Sequence, residues 1–234
     1  MEKNLRRCII RYLIIINLIT IIKNDYSIQL KMKGKGNQKI YNKPCPDEIY
    51  INNEKGNNNQ KQNLDYDYNN IILLKYRSRL TDCSAMFQGC ESITEIDFLN
   101  FDTSEVRDMN SMFDGCRKLT SINFRNFDTS KVTYMHYMFT GCERLASINF
   151  TNFDTSSLEN SQQMFFGCSS LISLDLSNFD TSKVTYMVNM FGDCSSLKYL
   201  NLKNFNNNKL SSSNSISNIF NGINNDLIIC YNIK

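Results

Sequence analysis

Apolar and polar positions recur along this chain with a fixed period of 26 residues. The segment Leu171–Phe205 reads LISLDLSNFDTSKVTYMVNMFGDCSSLKYLNLKNF, and the same pattern appears when it is shifted back by 26. A Phe–Asp–Thr–Ser element starts at Phe101, Phe127, Phe153 and Phe179, with a worn copy at Phe205. Cysteine recurs at Cys90, Cys116, Cys142, Cys168 and Cys194. A period of 20–50 residues marks a repeat architecture in which no unit buries its apolar edge alone.

Within one unit, Leu174 and Leu176 alternate with Ser173, Asp175 and Ser177, the pattern of a half-buried strand. Equivalent pairs are Ile96/Phe98, Ile122/Phe124, Ile148/Phe150 and Leu200/Leu202. Asn178 to Ser182 is rich in side chains that bond nearby backbone, so it reads as a turn able to cap a following helix. Val184, Met187, Met190 and Phe191 then fall on one face of a short helix or 3-10 segment. The expected fold class is α/β repeat: a leucine-rich-repeat-like solenoid, with parallel strands on one face and short helical or 3-10 segments on the other. Its core carries a phenylalanine row (Phe87, Phe113, Phe139, Phe165, Phe191) and a methionine row (Met86, Met112, Met138, Met164, Met190).

The repeat NFDTSKVTYMxxMFxGCxxLxxLxLSNF resembles that of BspA-like leucine-rich-repeat surface proteins, over about residues 80–205. The resemblance implies cell-surface exposure, a role in adhesion or protein binding, and no catalytic residues. Cys83 and Ser161 depart from the pattern, standing where other copies have Met109, Met135 and Met187.

Outside the repeats the pattern changes. In residues 1–26, Lys3, Arg6 and Arg7 precede the apolar run Tyr12–Ile22, as in a signal peptide or signal anchor. Basic residues flank both sides of this run and no small-x-small cleavage site follows it. Residues 27–69 are rich in Asn, Gln, Lys and Gly and read as a low-complexity linker, a solvated spacer. Residues 70–234 are expected to form the solenoid, with Ile71–Tyr76 as its first strand and N-terminal cap. A degenerate C-terminal cap spans 206–234, and Asp226–Ile233 is its last strand.

Composition changes this picture little. Apolar residues make up 41% of the 234 and charged residues 21%, as in an ordinary globular protein. The net charge of +3 divides into +6 over residues 1–60 (11 basic, 5 acidic) and −3 over the rest (15 basic, 18 acidic). This charge argues neither for nor against nucleic acid, and no nucleic-acid partner is expected. The lone histidine, His136, occupies a position filled elsewhere by Asn110, Gln162 and Val188, so it is expected on the surface. With no second histidine and no glycine-rich phosphate loop, no enzyme activity, metal or cofactor is expected.

Two side-chain rows remain. The repeated cysteines are expected to be buried thiols, with a Cys45–Cys83 disulfide as an option at the N-terminal cap. The FDTS aspartates Asp102, Asp128, Asp154 and Asp180 fit turn and cap chemistry better than a calcium ladder. The residues expected to line the outer sheet face are Asp97, Asn123, Asn149, Asp175 and Asn201, flanked by Glu95, Arg125, Tyr199 and Lys203. This row is either a polar binding face or a solvated one. The expected function is a non-catalytic, secreted or cell-surface protein, a monomer. It would bind an unknown protein or glycan through that face, with a possible membrane tether at the N-terminus. The alternative is an intracellular interaction scaffold.

Overall fold

The computed structural model describes residues 26–64, 70–206, 208–210 and 217–231. The expected signal segment lies outside them, apart from Tyr26, as do Cys8 and parts of the C-terminal segment.

Eleven short strands occur among the described residues, in three sheets. The N-terminal strands are β1 (Tyr26–Met32), β2 (Gly36–Lys39), β3 (Glu48–Ile51), β4 (Glu54–Lys55), β5 (Lys61–Leu64) and β6 (Asn70–Tyr76). The repeats contribute β7 (Ile93–Asp97), β8 (Ser121–Asn123), β9 (Ser173–Asp175), β10 (Tyr199–Asn201) and β11 (Ile228–Cys230). The largest sheet is mixed, in the order β4-β3-β6-β1-β7-β8, while β9, β10 and β11 form a parallel sheet and β2 pairs antiparallel with β5.

The expected α/β solenoid does not form. No described residue is helical, and the strands fall into several small sheets rather than one parallel face. The reason for the missing helices lies in the backbone of each Met-x-x-Met-Phe segment. Ala85, Ser111, Tyr137, Gln163 and Asn189 all have φ between 51° and 59°, in the left-handed region. A right-handed helix cannot continue through such a residue. Two i→i+3 turns form instead, as in Met138 N–H to Met135 and Thr140 N–H to Tyr137. The intervening amides are thereby free to bond sideways: Tyr137, Phe139 and Gly141 donate to the carbonyls of Gln162, Met164 and Phe166 in the next unit.

The apolar rows do form the core. Phe87, Phe113, Phe139, Phe165 and Phe191 are fully buried, and successive rings stack at 5.3–5.9 Å. A second row, Phe98, Phe124 and Phe150, stacks at 6.0 and 6.3 Å. That is wider than the ~4.8 Å between paired strands. Phe98 N–H accordingly reaches Asn123 O at a long 3.5 Å, and residues 147–149 form no strand. Where leucine replaces phenylalanine, Leu176 N–H meets Asn201 O at 2.9 Å. Ser161, which with Cys83 departs from the methionines at its position, is buried with its hydroxyl 3.7 Å from Met190 Sδ.

Residues 27–69 carry β1–β5 rather than a solvated spacer; 65–69 lie outside the described residues. Ile28, Leu30 and Met32 alternate along β1 and are fully buried. Gln62, 2% exposed, donates from Nε2 to Asn57 and Asn59. Ile71–Tyr76 belongs to β6, an interior strand between β3 and β1, so it is not the first strand. The strand that covers the first repeat is β1, antiparallel to β7.

Candidate functional site

The outer sheet face divides into two groups of residues. In the first, β1 and β7 pair Lys31 with Glu95 and Gln29 with Asp97, while β7 and β8 pair Asp97 with Asn123. Inward partners Leu30 and Ile96 are buried, which fixes the polar residues on the opposite face. Lys31 Nζ lies 2.5 Å from Glu95 Oε2. Asn123 Nδ2 donates to Asp97 Oδ1 at 3.1 Å, and Arg125 stands 3.8 Å from the same oxygen. These side chains surround a shallow groove of about 190 Å³ lined by Gln29, Lys31, Glu95, Ile96, Asp97, Ser121, Ile122 and Asn123.

Its charges are balanced and partly solvated, with Lys31 and Glu95 side chains 42% and 44% exposed. Ion pairs at that exposure contribute at most ~1 kcal/mol, so they can exchange partners at small cost. Gln29 and Lys31 were missed because they fall in the segment read as a linker. The alternation Ile28, Leu30, Met32 was the signal that could have placed them on an outer face.

The second group lies on and after β9 and β10: Asp175, Tyr199, Asn201 and Lys203. Here the row is occupied in turns. Asp175 Oδ1 accepts the Ser177 N–H at 2.8 Å, and Asn201 Oδ1 accepts that of Lys203 at 3.2 Å. Hydrogen bonds from the Ser177 hydroxyl and backbone hold the Asp175 carboxyl below its usual range. Asn149, between the two groups, accepts from both the N–H and the hydroxyl of Thr151. Even Asn123 Oδ1 accepts the Arg125 N–H, at 3.2 Å. Tyr199 is 55% exposed and makes an apolar spot beside Ile228 and Ile172. The nine candidate residues therefore do not form one continuous site.

The FDTS element is a joint between units. Asp102, Asp128, Asp154 and Asp180 each accept the N–H of the serine two residues on, at 2.8–3.0 Å. Thr103, Thr129, Thr155 and Thr181 are buried. Each threonine hydroxyl accepts the N–H and donates to the carbonyl of the residue 25 positions on. This clamp went unread in the sequence. Asn126, Asn152, Asn178 and Asn204 donate to carbonyls of the preceding unit.

The repeated cysteines are buried free thiols. Cys116, Cys142, Cys168 and Cys194 donate to the carbonyls of Phe87, Phe113, Phe139 and Phe165 at 3.0–3.3 Å. Burial pushes Cys90 and Cys194 up to about 12, and the three between them well above the usual thiol value. Such thiols are unreactive. The optional Cys45–Cys83 disulfide does not form: Cys83 is buried and free, while Cys45 is exposed beside the Tyr41 hydroxyl. His136 is half-buried against Tyr134 and Tyr137, and burial lowers its pKa.

Repeated units joined laterally by backbone, threonine and thiol bonds define a class of periodic, mostly β protein. The chain belongs to the family described as Mycoplasma protein of unknown function, DUF285, whose pattern matches residues 81–205, more than half of its length, and also 146–228. No curated protein and no solved structure matches it.

Proposed function

We propose that this chain is a non-catalytic binding protein, presented at or beyond the cell surface, that engages a protein or glycan through the polar groove over β1, β7 and β8. One observation carries the reading. Side chains facing outward around Glu95 and Asp97 are held by exposed ion pairs, whereas those around Asp175 and Asn201 are committed to turns. Exposed pairs can be traded for contacts to a ligand at little cost. The resemblance of the repeat to BspA-like surface proteins, and the basic-then-apolar order of residues 1–26, support the location. Among the described residues no helix is long and apolar enough to cross a membrane.

The test has two arms. Protease shaving of intact native cells, with N-terminal sequencing of the protein, reads location: loss of the repeats and a start near Ser27 are expected. Full protection with an intact Met1 would refute surface presentation. Arrays of surface glycans and surface proteins, probed with the full chain, read binding. Asp97→Lys should abolish the strongest hits while Asp175→Asn, which keeps the turn acceptor, spares them. Equal binding by all three proteins would remove the groove as the site.

A further inference from the structure

The two ends of the repeat array are not equivalent. In five successive units, three alternate amides donate to carbonyls of the next unit. They are Ala85, Phe87 and Gly89, then Ser111, Phe113 and Gly115, and so on to Asn189, Phe191 and Asp193, which reach Ser217, Ile219 and Asn221. The last unit repeats the geometry that aims these amides outward: Asn218 has φ of 55° and Gly222 of 70°. Its Asn218, Phe220 and Gly222 amides find no acceptor among the described residues. On the strand side, Phe98, Leu176 and Leu202 donate forward to Asn123, Asn201 and Cys230, and Tyr231, next in that series, finds no acceptor there either.

Between these two lines of donors lies an apolar surface. Phe220 stacks on Phe191 at 5.8 Å and leaves its other side uncovered, 40% exposed. Tyr231 is 64% exposed, and Ile229, which continues the inward series of Leu200, is only half-buried. The expected cap at Asp226–Ile233 is therefore not a cap over its described part: β11 adds as a further parallel strand, and no described residue pairs with its other edge.

At the opposite end two carbonyls of the first unit, those of Met86 and Gln88, are taken. Asn42 N–H donates to Met86 O at 2.7 Å, and Lys39 Nζ to Gln88 O at 2.5 Å. We propose that the open C-terminal end is a second interaction surface, separate from the groove, which receives an extended segment of a partner polypeptide as one more row. Donor polarity selects this occupant. A partner must bring acceptors at every second residue, as backbone carbonyls do, together with an apolar side chain to cover Phe220. A second copy does not supply them on the turn side: the Met86 and Gln88 carbonyls at its N-terminal end are already bonded, and its C-terminal end brings donors to donors.

The experiment uses the full chain, ¹⁵N-labelled, titrated with a blocked synthetic peptide of the sequence of residues 186–193. That segment carries the Val188, Met190 and Gly192 carbonyls that accept in the fold. Fast amide exchange at Asn218, Phe220, Gly222 and Tyr231 is expected without peptide. Saturable shifts and slowed exchange are expected at those amides with it. Phe220→Asp should weaken binding about tenfold or more, as loss of a central aromatic anchor does. Tyr231→Asp serves as the second variant should Phe220→Asp lower the melting temperature. No shifts at about 1 mM peptide, shifts located elsewhere, or binding indifferent to both variants would overturn the proposal. So would concentration-dependent dimers by sedimentation, with those amides already protected.

Discussion

Thr129→Val tests the joint between units at a single hydroxyl. Thr129 is fully buried; its Oγ1 donates to Asp154 O at 2.8 Å and accepts Asp154 N–H at 2.9 Å. Valine keeps the shape and removes both bonds, leaving a donor and an acceptor of the next unit without their partner. At about 1 kcal/mol net for each bond, the loss is about 2 kcal/mol. For a chain of this size that lowers the melting temperature by roughly 4–8 °C. Thr129→Ser retains the hydroxyl and loses one methyl, about 1 kcal/mol. The assay is thermal melting of the full chain followed by circular dichroism. A Val variant that melts within 1 °C (about 0.3–0.5 kcal/mol) of the parent would refute the clamp. A Ser variant destabilised as much as Val would assign the position to packing instead.

Other consequences follow from the same geometry. Phe139→Ala should cost about 3–5 kcal/mol in denaturant unfolding, since the ring is fully buried between Phe113 and Phe165. Alkylation of the native protein, read by mass spectrometry, should mark Cys45 and Cys230 quickly and leave Cys90, Cys116, Cys142, Cys168 and Cys194 unmarked until unfolding. The Ser130 hydroxyl and N–H hold the Asp128 carboxyl below its usual range. A depressed folded value contributes stability that is present above the unfolded value of about 3.9 and is lost as pH falls through the folded one. Acid melting below about pH 4 should therefore be less steep in Asp128→Asn than in the parent. The same variant should be less stable than the parent at pH 7 and approach it as pH falls, keeping the turn itself as Asn206 does in its bond to Asn208.

The core was legible in the sequence because a 26-residue period states which side chains share a row. The buried phenylalanines, methionines and cysteines are the ones that recur. What the period could not state was how each unit turns. The spacing of Val184, Met187, Met190 and Phe191 fits one face of a helix and equally fits two successive turns. The φ of Asn189, 51°, decides between them. Nothing about Ala85 or Gln163, which share that conformation, advertises a left-handed residue. Nor could the period state that residues 147–149, which carry the same alternation as their counterparts, form no strand. In residues 27–69 polar composition outweighed a real alternation, so Lys31 and Gln29 were left off the face they share with Glu95 and Asp97. The Asp/Asn row was placed on the outer face, but its use in turns required distances.

The missing helices and the open end both follow from one claim: alternate amides of each turn segment bond to the next unit. Long-range HNCO spectroscopy of the deuterated full chain detects couplings across individual hydrogen bonds. The account predicts cross-peaks from the amides of Tyr137, Phe139 and Gly141 to the carbonyls of Gln162, Met164 and Phe166. Cross-peaks from Phe139 to Met135, and from Gly141 to Tyr137, would instead mark a helix and contradict it.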